Sequence, residues 1–120
     1  MTTSHRLTCT WTAPDEHTCQ VVVEGELTYD SADELLRSSV RHIQDRPALR
    51  ELRVDCAGLG VCDSWGLAVL LQIRRHLLAA NAGLSLDNRS RAFERLLDIT
   101  GTLGFLTGTP PLTRGQSQDS

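Results

Sequence analysis

The chain has 120 residues, the size of one ordinary domain, with 40% hydrophobic residues, 22% charged residues and a net charge of -3. At that length roughly two thirds of the unfolded chain's surface can be buried, so one core is feasible without disulfide or metal staples. The acidic balance argues against a general nucleic-acid binder, which needs a basic surface to neutralise phosphates.

RLTCTW, residues 6–11, alternates apolar and polar side chains in the manner of a half-buried strand. APDEH follows as a Pro-Asp turn cluster, and CQVVVEGEL, residues 19–27, is rich in β-branched residues. These two strands should pair antiparallel. YDSADELLRSSVRHIQ then reads as a helix: Asp30 or Ser31 can cap it, and Asp33 and Glu34 suit its positive end. Apolar residues at 32, 35, 36, 40 and 43 share one face, and Pro47 stops continuation.

Leu49, Leu52 and Val54 mark a short strand over 49–58, which opens into a small-residue loop, GLGVCDS. From Ser64 to about Asn81 the pattern is helical, with Leu67, Leu70, Leu71, Leu77 and Leu78 on the core face and Val69 and Ile73 widening it. Gly83 can adopt the left-handed conformation that ends such a helix. LSL, residues 84–86, is a brief strand. SRAFERLLDI, residues 90–99, is a further helix capped by Ser90, with Phe93, Leu96 and Leu97 inward. Residues 107–120 are polar with Pro and Gly and should fray as a flexible tail, leaving one domain over 1–106. The predicted fold class is therefore α/β: a small mixed sheet packed with helices. Its first hairpin is antiparallel, and its strand–helix–strand units are parallel with right-handed crossovers.

No early apolar run resembles a secretory signal, and GLAVLLQI is far short of the roughly 20 residues that a membrane-spanning helix needs. A soluble, cytoplasmic protein with no membrane or nucleic-acid partner is the expectation, and the Arg74–Arg75 step is explained by an exposed helix face. Cys9, Cys19, Cys56 and Cys62 contain no Cys-x-x-Cys pair, so neither a metal nor any other cofactor is signalled. Cys9 and Cys19 could face each other across the hairpin; free thiols are the expectation in a reducing compartment.

Ser64 carries the candidate chemistry. CDSWG holds half of the Gly-x-Ser-x-Gly elbow of serine hydrolases, but Cys62 stands in place of the first glycine. The histidines are at 5, 17, 42 and 76, so none follows Asp87 or Asp98 in the order such a triad requires. A helix cap by Asp63 or Ser64 is the plain structural reading and contributes about 1 kcal/mol. A third reading is a phosphorylation switch. A phosphate on Ser64 would bring a charge near -2 to the positive end of a helix. Gly58, Gly60 and Gly66 would leave room for another protein to approach.

The stretch LRVDCAGLGVCDSWGLAVLLQIRRHLLAANAGLSLDN resembles the core of the STAS domain, shared by bacterial anti-sigma factor antagonists and the cytoplasmic ends of some anion transporters. Asp55, Gly58, Asp63, Ser64, Gly66, Leu67 and Gly83 match its ordered pattern. So do VVVEGELT at 21–28 and SRAFERLLDITG, with Arg95, Leu96, Thr100 and Gly101, in a likeness spanning about 7–106. The resemblance implies a non-enzymatic anti-sigma factor antagonist that regulates transcription by partner switching. Its partner would be an anti-sigma factor with a histidine-kinase-type ATPase fold. That partner phosphorylates Ser64 to abolish binding, and a serine phosphatase restores it; the ATP and magnesium belong to the kinase. Asp63, Trp65, Gly66, Thr28 and Gly60 would frame the docking surface. Two residues depart from the pattern: Trp65 replaces a serine beside the phosphoacceptor, and Thr28 replaces an aspartate. Trp65 reads either as a partner anchor or as a ring packed on the neighbouring loop. The alternative function is a phosphorylation-independent STAS scaffold in a regulatory or ligand-sensing complex.

Overall fold

The computed structural model describes residues 7–101. In chain order it contains β1 (Thr8–Asp15), β2 (Thr18–Leu27), α1 (Ala32–Asp45), β3 (Glu51–Cys62), α2 (Ser64–Ala79), β4 (Gly83–Asp87) and α3 (Arg91–Thr100). The sheet order is β1-β2-β3-β4, with β1 antiparallel to β2 and the other neighbours parallel. This is the mixed α/β sheet expected from the sequence.

Period-two patterning makes the sheet one-sided. Cys19, Val21 and Val23 of β2 are buried, as are Leu52, Val54 and Cys56 of β3 and Leu84 and Leu86 of β4. They join one core cluster with Leu35 and Ile43 of α1 and Leu70, Ile73 and Leu77 of α2, and the two helices pack on each other. The alternate residues form a polar face. There Arg53 grips Asp87 with Nε to Oδ2 at 3.1 Å and Nη2 to Oδ1 at 3.2 Å, and the Ser85 hydroxyl donates to Glu51. Such part-exposed pairs set register more than they add stability.

Several boundaries differ from the sequence reading, each for a physical reason. β1 runs on through Ala13 and Pro14 to Asp15, and the turn is only Glu16–His17, where the His17 amide donates to Asp15 Oδ1 at 2.8 Å. Proline is tolerated because β1 is an edge strand, and the pairing breaks register between Thr12 and Asp15. Cys9 lies opposite Val23 rather than Cys19, so the two thiols do not face each other, and all four cysteines are free. β3 continues through the glycine-rich segment to Cys62 instead of opening into a loop. The bulge that allows this is at Gly25, whose φ of 106° only glycine takes easily, and register shifts on either side of it.

Helix ends also deviate. Ser31 occupies the cap position of α1, yet its hydroxyl points back, accepting the Thr28 amide at 3.1 Å and donating to Glu26 O at 2.7 Å. It knots the end of β2 to the start of α1. The left-handed residue after α2 is Asn81 (φ 59°), not Gly83, which already belongs to β4. The Asn81 and Ala82 amides return to Leu78 O and Leu77 O at 3.1 and 2.8 Å, the paired bonds of a Schellman ending. Leu78, expected on the core face, is 50% exposed. Ser90 caps α3 as expected, accepting the Phe93 amide at 3.1 Å. The predicted tail, 107–120, lies outside the described residues.

Candidate phosphoacceptor and docking site

The site forms where β2 and β3 end side by side. Leu27 pairs with Cys62, and the Asp63 amide donates to Leu27 O at 3.2 Å. Asp63 is the cap of α2: its extended backbone aims Oδ1 at the Gly66 amide, 3.0 Å away, and its carbonyl accepts from Leu67. Ser64 is thus the first residue inside the helix rather than its cap, and its side chain is exposed. The serine keeps its hydroxyl free of the capping duty that the aspartate performs.

Gly66 is buried, and the reason is contact rather than conformation. A Cβ there would lie 2.4 Å from Leu27 O, 2.8 Å from Leu27 Cγ and 3.0 Å from Cys62 Sγ. Only glycine lets the first turn of α2 sit directly on the end of β2. Its place in the site is therefore beneath the surface, setting how high Ser64 stands. Cys62, half-buried in the same crevice, has its thiol pushed up to about 12 by burial and then by the Asp63 carboxylate.

Thr28 is half-buried just past β2, its carbonyl accepting the amides of Ser31 and Ala32. Gly60 is exposed on β3, and a Cβ there would meet nothing nearer than Gly25 O at 3.5 Å. Trp65 stands out at 62% exposed instead of packing down on the loop. The structure therefore brings Thr28, Asp63, Ser64, Trp65 and Gly66 to one end of the sheet, with Gly60 a few residues along its rim. Sequence reasoning missed two neighbours, Tyr29 at 68% and Val61 at 51% exposed. Each is an apolar side chain beside a turn or glycine, a signal easily taken for loop filler. A groove of about 320 Å³ between Gly60–Cys62 and Ala92, Phe93 and Leu96 opens beside them.

His17, in the β1–β2 turn, and His42 and His76, in the last turns of α1 and α2, sit at the opposite end of the sheet from Ser64. Among the described residues no histidine is placed to deprotonate the serine, and no cluster of metal-ligating side chains is found. No helix of the described residues is long and apolar enough to cross a membrane.

A one-sided mixed sheet with two crossover helices, and a serine opening the second of them, defines the STAS class of fold. The family model described as "Mlab, STAS domain" matches residues 12–107, and the chain belongs to that family. No curated protein matches it. Among solved structures it is similar to an anti-sigma factor antagonist from Mycobacterium paratuberculosis. The TM-score there is 0.71 at 22% identity, covering 93% of this chain and 92% of that one. The anti-sigma factor antagonist SpoIIAA is similar in its unphosphorylated form (TM-score 0.70, 19% identity, 78% of this chain and 81% of that chain). Its phosphorylated form, from Bacillus, matches at TM-score 0.65 and 19% identity, over 78% and 84% of the two chains. The murine Solute Carrier 26 family member A9 anion transporter matches at TM-score 0.64 and 12% identity, over 85% of this chain but 19% of the transporter. At these identities the likeness is one of fold.

Proposed function

We propose that this chain is an anti-sigma factor antagonist whose docking end is switched by phosphorylation of Ser64. The partner would be an anti-sigma factor with a histidine-kinase-type fold that doubles as the kinase, and a serine phosphatase would reverse the mark. The observation that carries the reading is the exposed hydroxyl at the first position of α2, beside a cap already supplied by Asp63. A phosphate there adds a charge near -2 next to an existing carboxylate. The Gly66 amide is committed to Asp63, so the new group would not displace the cap, and its charge and bulk would stand at the docking surface. Kinase-fold partner, magnesium-ATP and this chain are incubated together, and mass spectrometry locates the phosphate. Modification of Ser64 is expected. Ser64→Asp should weaken partner binding while Ser64→Ala binds but cannot be switched. No phosphate on Ser64, or equal binding by both variants, would refute the switch.

A second reading is favoured by Trp65, whose indole stands 62% exposed beside the serine. In it the same end is a permanent docking platform, and the chain is a phosphorylation-independent scaffold in a larger regulatory or ligand-sensing assembly. A stable complex with a protein lacking the kinase fold, unchanged by Ser64→Asp, would support that reading over the first.

A further inference from the structure

The Ser64 end of the molecule combines exposed apolar side chains with one sign of charge. Tyr29 lies two residues beyond Leu27, and Val61 and Trp65 flank Cys62, the residue with which Leu27 pairs. The three side chains are 68%, 51% and 62% exposed, the largest uncovered apolar groups on this side of the fold. Isolated exposed hydrophobes are ordinary, but three converging on one strand-end pair form a patch that calls for a cover.

On the β2, α1 and α2 side of them the charge is negative. Residues 24–36 and 55–71, which run through or toward this end, contain no Lys, Arg or His, whereas they supply Glu24, Glu26, Asp30, Asp33, Glu34, Asp55 and Asp63. Glu24, Asp30 and Asp33 are exposed. On the α3 flank Arg89 is engaged by Glu94 at 3.3 Å. Exposed Arg91 and Arg95 lie on α3, across the groove from Val61, while on α1 and α2 the arginines sit away from this end: Arg37, Arg41 and Arg46 lie along or just past α1, and Arg74 and Arg75 lie in the second half of α2. The molecule is therefore charge-polarised along α1 and α2. Its field would turn a cationic partner toward the Ser64 end and an anionic one away from it.

We propose that Tyr29, Val61 and Trp65 form a single apolar platform that receives a basic amphipathic helix of a partner protein. The helix's apolar stripe would cover the two aromatic rings, and its Arg or Lys residues would meet the carboxylates of Asp30, Asp33 and Asp63. Resting on the reading that partners dock at the Ser64 end, this assigns the chemistry of the docking element, which that reading leaves open. Tyr29 and Trp65 become the residues that set partner specificity.

The probe is a pair of synthetic helical peptides of about 18 residues with one leucine stripe, the polar face arginine in one and glutamate in the other. They are titrated into the full-length chain and followed by amide and indole NMR shifts. The arginine peptide is expected to shift Tyr29, Val61 and the Trp65 indole. Its affinity should fall about tenfold or more in Trp65→Ala or Tyr29→Ala, and again as NaCl rises from about 50 to about 300 mM. Asp30→Asn with Asp33→Asn should flatten the salt dependence, while Glu94→Gln with Asp98→Asn on α3 should leave it unchanged. Equal binding of the glutamate peptide, shifts confined to another surface, or no binding of either peptide would overturn the proposal. The Ser64 reading is tested by phosphate transfer, so the two fail separately: Ser64 modified by a partner that ignores Trp65 and Tyr29 sinks this inference alone.

Discussion

Gly66→Ala tests the central packing claim, because two effects of known size oppose each other there. Helix propensity alone favours alanine by about 1 kcal/mol. Against it, the new methyl would fall 2.4 Å from Leu27 O and 2.8 Å from Leu27 Cγ, and the carbonyl is held in place by the Asp63 amide at 3.2 Å. Backbone cannot swing aside as a flexible side-chain tip does, so the first turn of α2 must lift off β2. Overpacking of this kind costs about 1–3 kcal/mol, and the loosened bonds from Asp63 to Leu27 and Gly66 to Asp63 cost about 1 kcal/mol each. After subtracting the propensity gain, a loss of about 2–4 kcal/mol remains, enough to lower Tm by roughly 10 °C or more in a domain of this size. Urea unfolding followed by circular dichroism measures it. Gly60→Ala is the control: its methyl meets only Gly25 O at 3.5 Å, an ordinary contact, and should shift stability by less than about 0.5 kcal/mol. If Gly66→Ala proved as stable as the parent, the close approach of α2 to β2 would be wrong, and with it the placement of Ser64.

The buried thiols make a pH prediction. Burial, assisted by nearby carboxylates, raises Cys56 and Cys62 to about 12 and Cys9 to about 11 from an ordinary 9.0. A thiol raised in the fold holds its proton longer there than in the unfolded chain. Its contribution to stability is therefore whole below pH 9 and drains away as pH climbs toward those folded values. Urea midpoints should fall above pH 9, and Cys56→Ser with Cys62→Ser should flatten that fall. At about pH 8 the native thiols should react slowly with an aromatic disulfide reagent and rapidly once unfolded, since the thiolate is the reacting form. A second test concerns the Trp11 and His42 rings, which stack with centroids 3.9 Å apart and planes 8° from parallel, joining edge strand β1 to α1. A double-mutant cycle to alanine should give a coupling of about 0.5–1.5 kcal/mol; additive losses would mean the stack is idle.

What was readable in the sequence followed from period and capping chemistry. The order of elements, the apolar face of α2 apart from Leu78 and the Ser90 cap are local facts, and most local facts survive folding. The extent of β3 is not readable, because the two glycines of GLGVC read as a loop and its strand character comes from pairing with β2 across the Gly25 bulge. A strand made by its partner leaves little trace in its own residues. Asn81 and Gly83 are both permissive at positive φ, and the choice depends on where the last helical amides return, which spacing alone does not determine. Asp30 and Ser31 both suit a cap before an acidic first turn; Ser31 takes the position, but its hydroxyl serves Thr28 and Glu26 across the strand–helix corner. Of the candidate site, the places of Asp63 and Ser64 at the start of α2 are legible from the helix-start pattern. Tyr29 is not legible that way, because its place at the same end of the sheet as Ser64 is a product of the pairing of Leu27 with Cys62.

The division of labour between Asp63 and Ser64 bears on how a mark at Ser64 could act. Had the serine been the cap, phosphorylating it would have disturbed the Gly66 amide bond and the helix start with it. With Asp63 in that role and Gly66 seated on Leu27 O, the first turn is fixed by groups that a phosphate does not touch. A phosphate on Ser64 would therefore change the surface and leave the core as it is. Its effect would be felt only by a molecule docking on Tyr29, Val61 and Trp65. For a cationic visitor the added charge alone would attract, so any loss of binding must come from the group's bulk and hydration at a closely packed contact. Ser64→Asp and Ser64→Glu, which add charge with less bulk, should then weaken docking less than the true phosphate does. Titration calorimetry of the three forms against one partner separates the contributions. Equal loss from Ser64→Asp and from phosphate would refute the bulk account and, since charge could then weaken docking only by repulsion, the cationic character of the visitor with it.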